Sequence, residues 1–193
     1  MLATFFSRRY SRQGLWSLFL MCALPLHAWT MILAFRDVSW VTDRTNAWDA
    51  VGVFSYGLVF ALVESLVIFL VASLLGFLVS SRRDREWRVI LLTVLVLLLS
   101  LWAILEQLFF LLPMRLPGPI ITLLVQSGHP LRTLYVGLTA LVGLTILIPV
   151  VLVLRSEKAV RFVRALVDRL SLLAIFYLLF DAIALVIVVI RNL

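Results

Sequence analysis

The sequence VFALVESLVIFLV, residues 59–71, decides the fold class of this protein. It lies within a nearly uninterrupted apolar run that covers about residues 52–80. An α-helix needs about 20 consecutive apolar residues to cross the hydrocarbon core of a bilayer, and this run is long enough. A single carboxylate, Glu64, interrupts it, and burying a carboxylate in hydrocarbon is costly. The stretch therefore predicts a transmembrane helix in which one acidic residue serves a structural or functional purpose.

The composition extends this prediction to the whole chain. Of its 193 residues, 64% are hydrophobic, whereas globular proteins contain about 45–50% apolar residues. We expect an all-α, polytopic integral membrane protein, a bundle of five transmembrane helices within one domain over residues 1–193. The first apolar run is too long for the core of a signal peptide, so it is interpreted as an uncleaved span. The spans are predicted at about residues 14–35, 52–80, 88–112, 133–154 and 170–190.

A proline-rich segment separates the third predicted span from the fourth. Its apolar core falls within residues 119–128 and is too short to cross a bilayer. Pro113, Pro117, Pro119 and Pro130 bracket this core, and each removes a backbone donor. Irregular backbone is not tolerated against lipid at depth. The segment is therefore expected to be either interfacial or re-entrant, and both alternatives stay open.

The distribution of basic residues predicts the orientation. With five alternating spans, twelve Lys and Arg residues share one side and five share the other. Because cytoplasmic loops are enriched in Lys and Arg, the N-terminus is predicted inside and the C-terminus outside. The preference for Arg over Lys suggests a bacterial origin, and hence the cytoplasmic (inner) membrane of a bacterium. The predicted inner set is Arg8, Arg9, Arg12, Arg82, Arg83, Arg85, Arg88, Arg155, Lys158, Arg161, Arg164 and Arg169. The predicted outer set is Arg36, Arg44, Arg115, Arg132 and Arg191.

One histidine and three carboxylates fall inside the predicted spans: His27, Glu64, Glu106 and Asp181. Counting helical rise from the ends of the spans places all four at similar depth. Small residues flank His27, Glu64 and Asp181 at helical spacing, which favours close helix packing. We therefore expect an intramembrane polar cluster, with Glu64 facing the bundle interior and Glu106 as its weakest member. The cluster is either a hydrogen-bonded structural core or a relay for protons or ions, because intramembrane ionisable groups are often functional.

A basic amphipathic segment precedes the fifth span. Between residues 156 and 169, apolar residues recur at helical spacing among basic ones. The basic side chains Arg155, Lys158, Arg161 and Arg164 are expected to contact anionic lipid head groups at the membrane surface. The alternative is that this segment docks a cytoplasmic partner. In either case it is predicted as a helix that projects from the last span or bends away from it.

The sequence contains no motif of an enzyme or a metal site. One cysteine and two histidines in different elements do not form a ligand set, and neither a phosphate-binding loop nor a nucleophile motif is present. We expect no cofactor, no metal and no nucleic-acid partner. The favoured function is a non-enzymatic membrane subunit or scaffold in a homo-oligomer or a larger complex. The alternative is a small proton- or ion-coupled transporter or channel that uses the intramembrane carboxylates.

Overall fold

The structure is a computed structural model that describes residues 10–79, 84–112 and 114–193. All regular structure in these residues is helical. The helices are α1 (Arg12–Arg44), α2 (Ala47–Leu75), α3 (Arg85–Leu111), α4 (Gly118–Gln126), α5 (Pro130–Arg155) and α6 (Glu157–Asn192). Among the residues used for the predictions above, Arg8, Arg9, Arg82, Arg83 and Pro113 lie outside the described part of the chain.

Five of these helices, α1, α2, α3, α5 and α6, are long and apolar enough to cross a membrane. The prediction of an all-helical protein with five membrane-length helices is therefore confirmed, and this is the pattern of a multi-pass membrane protein. The remaining helix, α4, has nine residues. It rises only about 14 Å, which is too short to span a bilayer. It corresponds to the predicted short segment over residues 119–128.

The connection between α1 and α2 differs from the prediction. The first span was expected to end near Phe35 and to be followed by a solvated loop. Instead α1 continues to Arg44, and only Thr45 and Asn46 separate it from α2. Asn46 caps α2 by accepting a hydrogen bond from the Asp49 amide at 2.9 Å. The polar residues after Phe35 mark a fall in hydropathy, but nothing among them breaks a helix, so α1 runs on.

The last helix follows one of the two predicted alternatives. The segment over residues 156–169 was expected either to project from the span at 170–190 or to bend away from it, and it is continuous with that span. The structure has one helix of 36 residues, α6, with Ser156 alone separating it from α5. Its first turns do not stand free, because Ala159, Val160 and Val163 pack against a cluster formed by Ile90, Val94 and Val153. The start of α6 is therefore part of the bundle.

Helix α1 lies at the centre of the bundle, where it packs against α2, α3 and α6. One apolar cluster joins it to α2 and α3, and a second joins it to α6. Helix α5 contacts mainly α3 and α4, and Val153 is its single buried residue. The architecture is thus a core of α1, α2, α3 and α6, with the α4–α5 pair attached along α3.

The helices alternate in direction, so their ends form two groups. The basic end of the bundle carries Arg12, Arg85, Arg155 and Lys158 at the starts of α1, α3 and α6 and the end of α5. At the opposite end, Arg191 of α6 reaches the start of α2. It donates to the Asp49 carboxylate at 2.8 Å and to the Trp48 carbonyl at 2.7 Å.

Candidate functional site

Two of the four predicted polar residues meet inside the bundle. The Nε2 atom of His27 lies 3.0 Å from Oδ1 and 2.9 Å from Oδ2 of Asp181. The Nδ1 atom of His27 lies 2.8 Å from the carbonyl oxygen of Ala23, one turn earlier in α1. His27 is 0% exposed and Asp181 is 2% exposed. The pair is therefore fully enclosed by protein, and it joins α1 to α6.

The hydrogen bonds define the proton content of this pair. The Ala23 carbonyl can only accept, so Nδ1 of His27 carries a proton and donates it. Nε2 and the Asp181 carboxyl then share one further proton across the 2.9–3.0 Å contacts. The pair has zero net charge whichever partner holds that proton. Because no net charge is buried, the cost of removing the two groups from solvent is far lower than for an isolated carboxylate.

The sequence of α6 places Asp181 at this position. The inward-facing residues Val167, Ala174 and Asp181 follow at intervals of seven, and Ala184 is buried beside them. A seven-residue repeat keeps one face of a helix directed at its neighbour along its length. Ala174 and Ala184 have small side chains, which allow α6 to approach α1 closely. The aspartate therefore reaches the imidazole over a short distance.

Tyr177 completes the surroundings of the pair. Its ring lies one turn before Asp181 and stacks on the His27 imidazole, with a centroid distance of 6.0 Å and an angle of 12° between the planes. At this distance the two nearly parallel rings are offset from each other, so Tyr177 packs beside the imidazole. Each polar atom of the His27 and Asp181 side chains has a partner, so the contact between α1 and α6 leaves no unsatisfied polar atom in the pair.

Glu64 does not join this pair, contrary to the expectation that it faces the bundle interior. Its side chain is exposed, and no hydrogen bond or ion pair connects it to any residue that the structure describes. The buried face of α2 includes Leu58, Ala61, Ser65 and Ala72. Glu64 precedes Ser65 by one residue, and one residue turns a helix by about 100°. Glu64 therefore sits beside the buried face and points outward.

An open groove of about 570 Å³ runs between α1 and α2, and Glu64 lines it. The floor includes Thr30 of α1 and Gly57 of α2, and a Cβ atom added at Gly57 would lie 3.3 Å from the Thr30 methyl group. Exposed apolar side chains such as Phe35 and Phe60 form its rims. The groove is therefore a largely apolar surface on two membrane-length helices, and its lining holds two carboxylates, Asp37 and Glu64.

Glu106 is also exposed and also lacks a polar partner among residues 10–79, 84–112 and 114–193. The buried residues of α3 all fall in its first half, between Arg88 and Val96. The second half contacts α5, where Trp102 donates to the Thr145 hydroxyl at 2.9 Å. Glu106 follows Trp102 by one helical turn and is exposed. Thus the predicted cluster of four divides into a buried pair and two separate exposed carboxylates.

The four basic residues predicted at the membrane surface are all exposed: Arg155, Lys158, Arg161 and Arg164. Arg164 pairs with Glu86 at the start of α3. Arg161 lies 3.8 Å from Glu157, one turn earlier. They occupy the basic end of the bundle, with their charged groups in position to meet solvent or lipid head groups.

Sequence reasoning missed two contacts between helix ends. The hydroxyl of Tyr10 donates to the carbonyl of Ser73 at 2.7 Å, which joins the start of the described chain to the end of α2. Gly76 makes room for this tyrosine, since an added Cβ would fall 1.7 Å from the hydroxyl. Arg191 likewise lies against Gly52, where a Cβ would be 2.5 Å from its guanidinium carbon. In the sequence, the only sign of each contact is a glycine near the helix end, Gly76 for Tyr10 and Gly52 for Arg191.

Two further observations bear on function. Among the residues that the structure describes, no group of three or more His, Cys, Asp or Glu side chains could hold a metal ion. The chain matches no protein-family model, no curated protein and no solved structure.

Proposed function

We propose that this protein is a non-enzymatic subunit or scaffold of a larger membrane complex. The observation that supports it is the exposure of Glu64 and Glu106 on helices of membrane length. A charged residue at the centre of a transmembrane helix costs about 2.5–3.5 kcal/mol on insertion scales. A neighbouring protein that offers hydrogen-bond donors at these two positions offsets that cost. In this proposal the exposed carboxylates belong to interfaces with other helices.

The buried pair supports the same function. His27 and Asp181 bond to each other and to the Ala23 carbonyl, and solvent does not reach them. A proton relay needs a route by which protons enter and leave, whereas a contact that fixes two helices needs none. The pair therefore serves to hold α6 against α1. The rigid core that results carries the exposed carboxylates at fixed positions.

The proposed location is the cytoplasmic membrane of a bacterium, with the basic end of the bundle in the cytoplasm. The excess of Lys and Arg at that end supports this orientation. A reporter that is active only outside the cytoplasm should be active when fused after Leu193 and inactive at Arg85. The opposite result at both positions would reverse the orientation.

At the basic end, Arg155, Lys158 and Arg161 are proposed to contact anionic lipid head groups. Each basic residue near an anionic surface contributes about 1 kcal/mol to the attraction. The purified protein with Arg155, Lys158 and Arg161 replaced by Gln should retain fewer anionic lipids than the unchanged protein. Equal retention would remove lipid binding from this proposal.

Native mass spectrometry after mild extraction tests the proposed function. The single chain has a mass of 21.9 kDa, so a stable assembly of greater protein mass is expected. A photo-crosslinking amino acid at Phe60 or Phe110, beside the exposed carboxylates, should give a specific adduct, whereas one at the buried Leu18 should not. A monomer that gives no adduct at either exposed position would contradict the proposal.

A second candidate is proton- or ion-coupled transport, which the position of Glu64 in an open groove favours. Purified protein in liposomes with an imposed pH gradient would distinguish the two. Flux that disappears in Glu64→Gln and persists in Glu106→Gln would favour transport. Absence of flux together with a stable assembly would favour the subunit.

A further inference from the structure

We propose that the groove between α1 and α2 docks a transmembrane helix of a different protein, and that this helix presents a lysine or arginine side chain to Glu64. The proposal rests on the proposed function as a membrane subunit and names the chemistry of the partner. Its physical basis is the shape of the groove, the charge of Glu64 and the distribution of basic residues along this chain.

The groove has the form that a helix requires. Its lining extends along α2 from Ala47 to Glu64, which corresponds to about 26 Å of helical rise or nearly five turns. Small residues line the α1–α2 junction, among them Ala34, Gly57 and Ala61. Small residues allow the backbones of membrane helices to approach closely. Within the predicted span 52–80 the lining covers residues 53–64, about 16 Å of rise, so a third helix can lie in the groove over about half of the bilayer.

The charge in the groove selects a basic partner. The two acidic residues of the lining are Glu64 and Asp37, and no Lys or Arg belongs to it. Asp37 already receives a hydrogen bond from Arg36 at 2.8 Å. Glu64 has no polar partner in the described part of the chain. An opposite charge within a few Å favours the ionised carboxylate and offsets its removal from water.

The membrane-length helices of a second copy of this chain do not supply that charge within their predicted spans. No Lys or Arg occurs in residues 13–35, 45–81, 89–114, 133–154 or 170–190. Glu64 lies eleven residues before Leu75, about 16 Å of helical rise from the end of α2. The one histidine in those ranges is His27, and it is buried against Asp181. His129 lies outside those ranges, directly before α5. The complement to Glu64 therefore comes from a helix of another sequence.

Binding of designed transmembrane peptides tests this directly. The probe is a labelled Ala/Leu helix with one central lysine, and the control peptide carries leucine at that position. Association with the full-length labelled protein is measured by energy transfer in liposomes. Interhelical hydrogen bonds of about 1–2 kcal/mol in model peptides correspond to a preference of about 5- to 30-fold for the lysine peptide.

Matched variants assign that preference to the groove. Glu64→Gln keeps the size of the side chain and removes its charge, so the preference for the lysine peptide should disappear. Glu106→Gln makes the same change on the exposed face of α3 and should leave the preference intact. Equal binding of both peptides to the unchanged protein overturns the proposal, as does a preference that persists in Glu64→Gln.

A second copy of this protein is the competing occupant of the groove, and the same energy-transfer assay detects it. If two differently labelled copies of the protein associate and Glu64→Gln prevents this, the groove is a homodimer interface and the proposal is wrong. A native complex that forms through another face while both peptides bind equally would overturn only the groove proposal. The function as a membrane subunit would then still stand.

Discussion

Asp181 and Glu64 are carboxylates within neighbouring membrane-length helices, yet Asp181 is buried and Glu64 is exposed. Asp181 is enclosed between α6 and α1 and bonds to His27. Glu64 is exposed in the groove between α1 and α2. Both residues are adjacent to α1, so the difference does not come from distance to the centre of the bundle. It comes from the face of the helix on which each carboxylate sits.

This difference shows that an acidic residue in an apolar helix is not by itself a sign of burial. On α6 the aspartate belongs to the seven-residue repeat that faces α1. On α2 the corresponding inward position belongs to Ser65, whose hydroxyl donates to the Ala61 carbonyl of the same helix at 2.6 Å. The buried serine therefore needs no partner from another helix. The adjacent glutamate is available for contacts outside the chain.

The largest expected effect comes from breaking the buried pair. His27→Leu should lower the free energy of unfolding by about 3 kcal/mol, because it leaves the Asp181 carboxyl enclosed without its partner. The double variant His27→Leu with Asp181→Ala removes both polar groups and nearly conserves total side-chain volume, so it should recover most of the loss. Unfolding in mixed detergent micelles measures both. A double variant as unstable as His27→Leu would show that the pair is not an isolated unit.

A smaller loss is expected where the core has no room for an added atom. Gly76→Ala would place a methyl group against the Tyr10 hydroxyl and displace it from the Ser73 carbonyl. Loss of a buried hydrogen bond costs about 1–3 kcal/mol when a partner is left unsatisfied. We expect a fall of about 1–2 kcal/mol in the same unfolding assay. If Gly76→Ala is as stable as the unchanged protein, Tyr10 does not hold α2 in the way described.

Removing the exposed carboxylate should change the stability of the isolated chain very little. Glu64→Leu is expected to stay within about 0.5 kcal/mol of the unchanged protein, as exposed substitutions usually do. Glu106→Leu should behave in the same way and serves as the matched control on α3. A loss of more than about 2 kcal/mol from Glu64→Leu alone would mean that Glu64 contacts the interior after all.

The smallest effect is expected at the floor of the groove. Gly57→Ala gains up to about 1 kcal/mol of helix propensity. It also brings a methyl group to 3.3 Å from the Thr30 methyl, a tight contact that requires a small shift of α1 or α2. These effects oppose each other, so the net change in the free energy of unfolding should be near zero. A marked loss would show that α1 and α2 cannot separate even slightly at the groove.

The sequence was sufficient for the helical class and the number of membrane-length helices, because hydropathy over long runs depends on composition alone. It was insufficient for the end of α1. Hydropathy marks where apolar side chains stop, near Phe35, whereas α1 continues to Arg44 because no residue in between breaks a helix.

For the candidate site, sequence reasoning expected four residues to form one cluster, and the structure brings together only His27 and Asp181. His27 and Asp181 could be proposed together from their depth and from the small residues around them. Glu64 has small residues on its own side of α2 as well, at Gly57 and Ala61. The sequence does not show which of two adjacent faces meets α1, because that depends on the neighbouring helix. Only the packing of the helices shows that Ser65 is buried and Glu64 is exposed.

The separation of 154 residues between His27 and Asp181 also has a consequence for the synthesis of the protein. At about 5–20 residues per second, the ribosome needs roughly 8–30 s to proceed from the histidine to the aspartate. During that interval α1 is already made, so the imidazole is present before the aspartate is added to the chain. The aspartate, the costlier of the two in lipid, is translated only when its partner is present. Because the histidine precedes the aspartate along the chain, the carboxyl lacks its partner only for a short period.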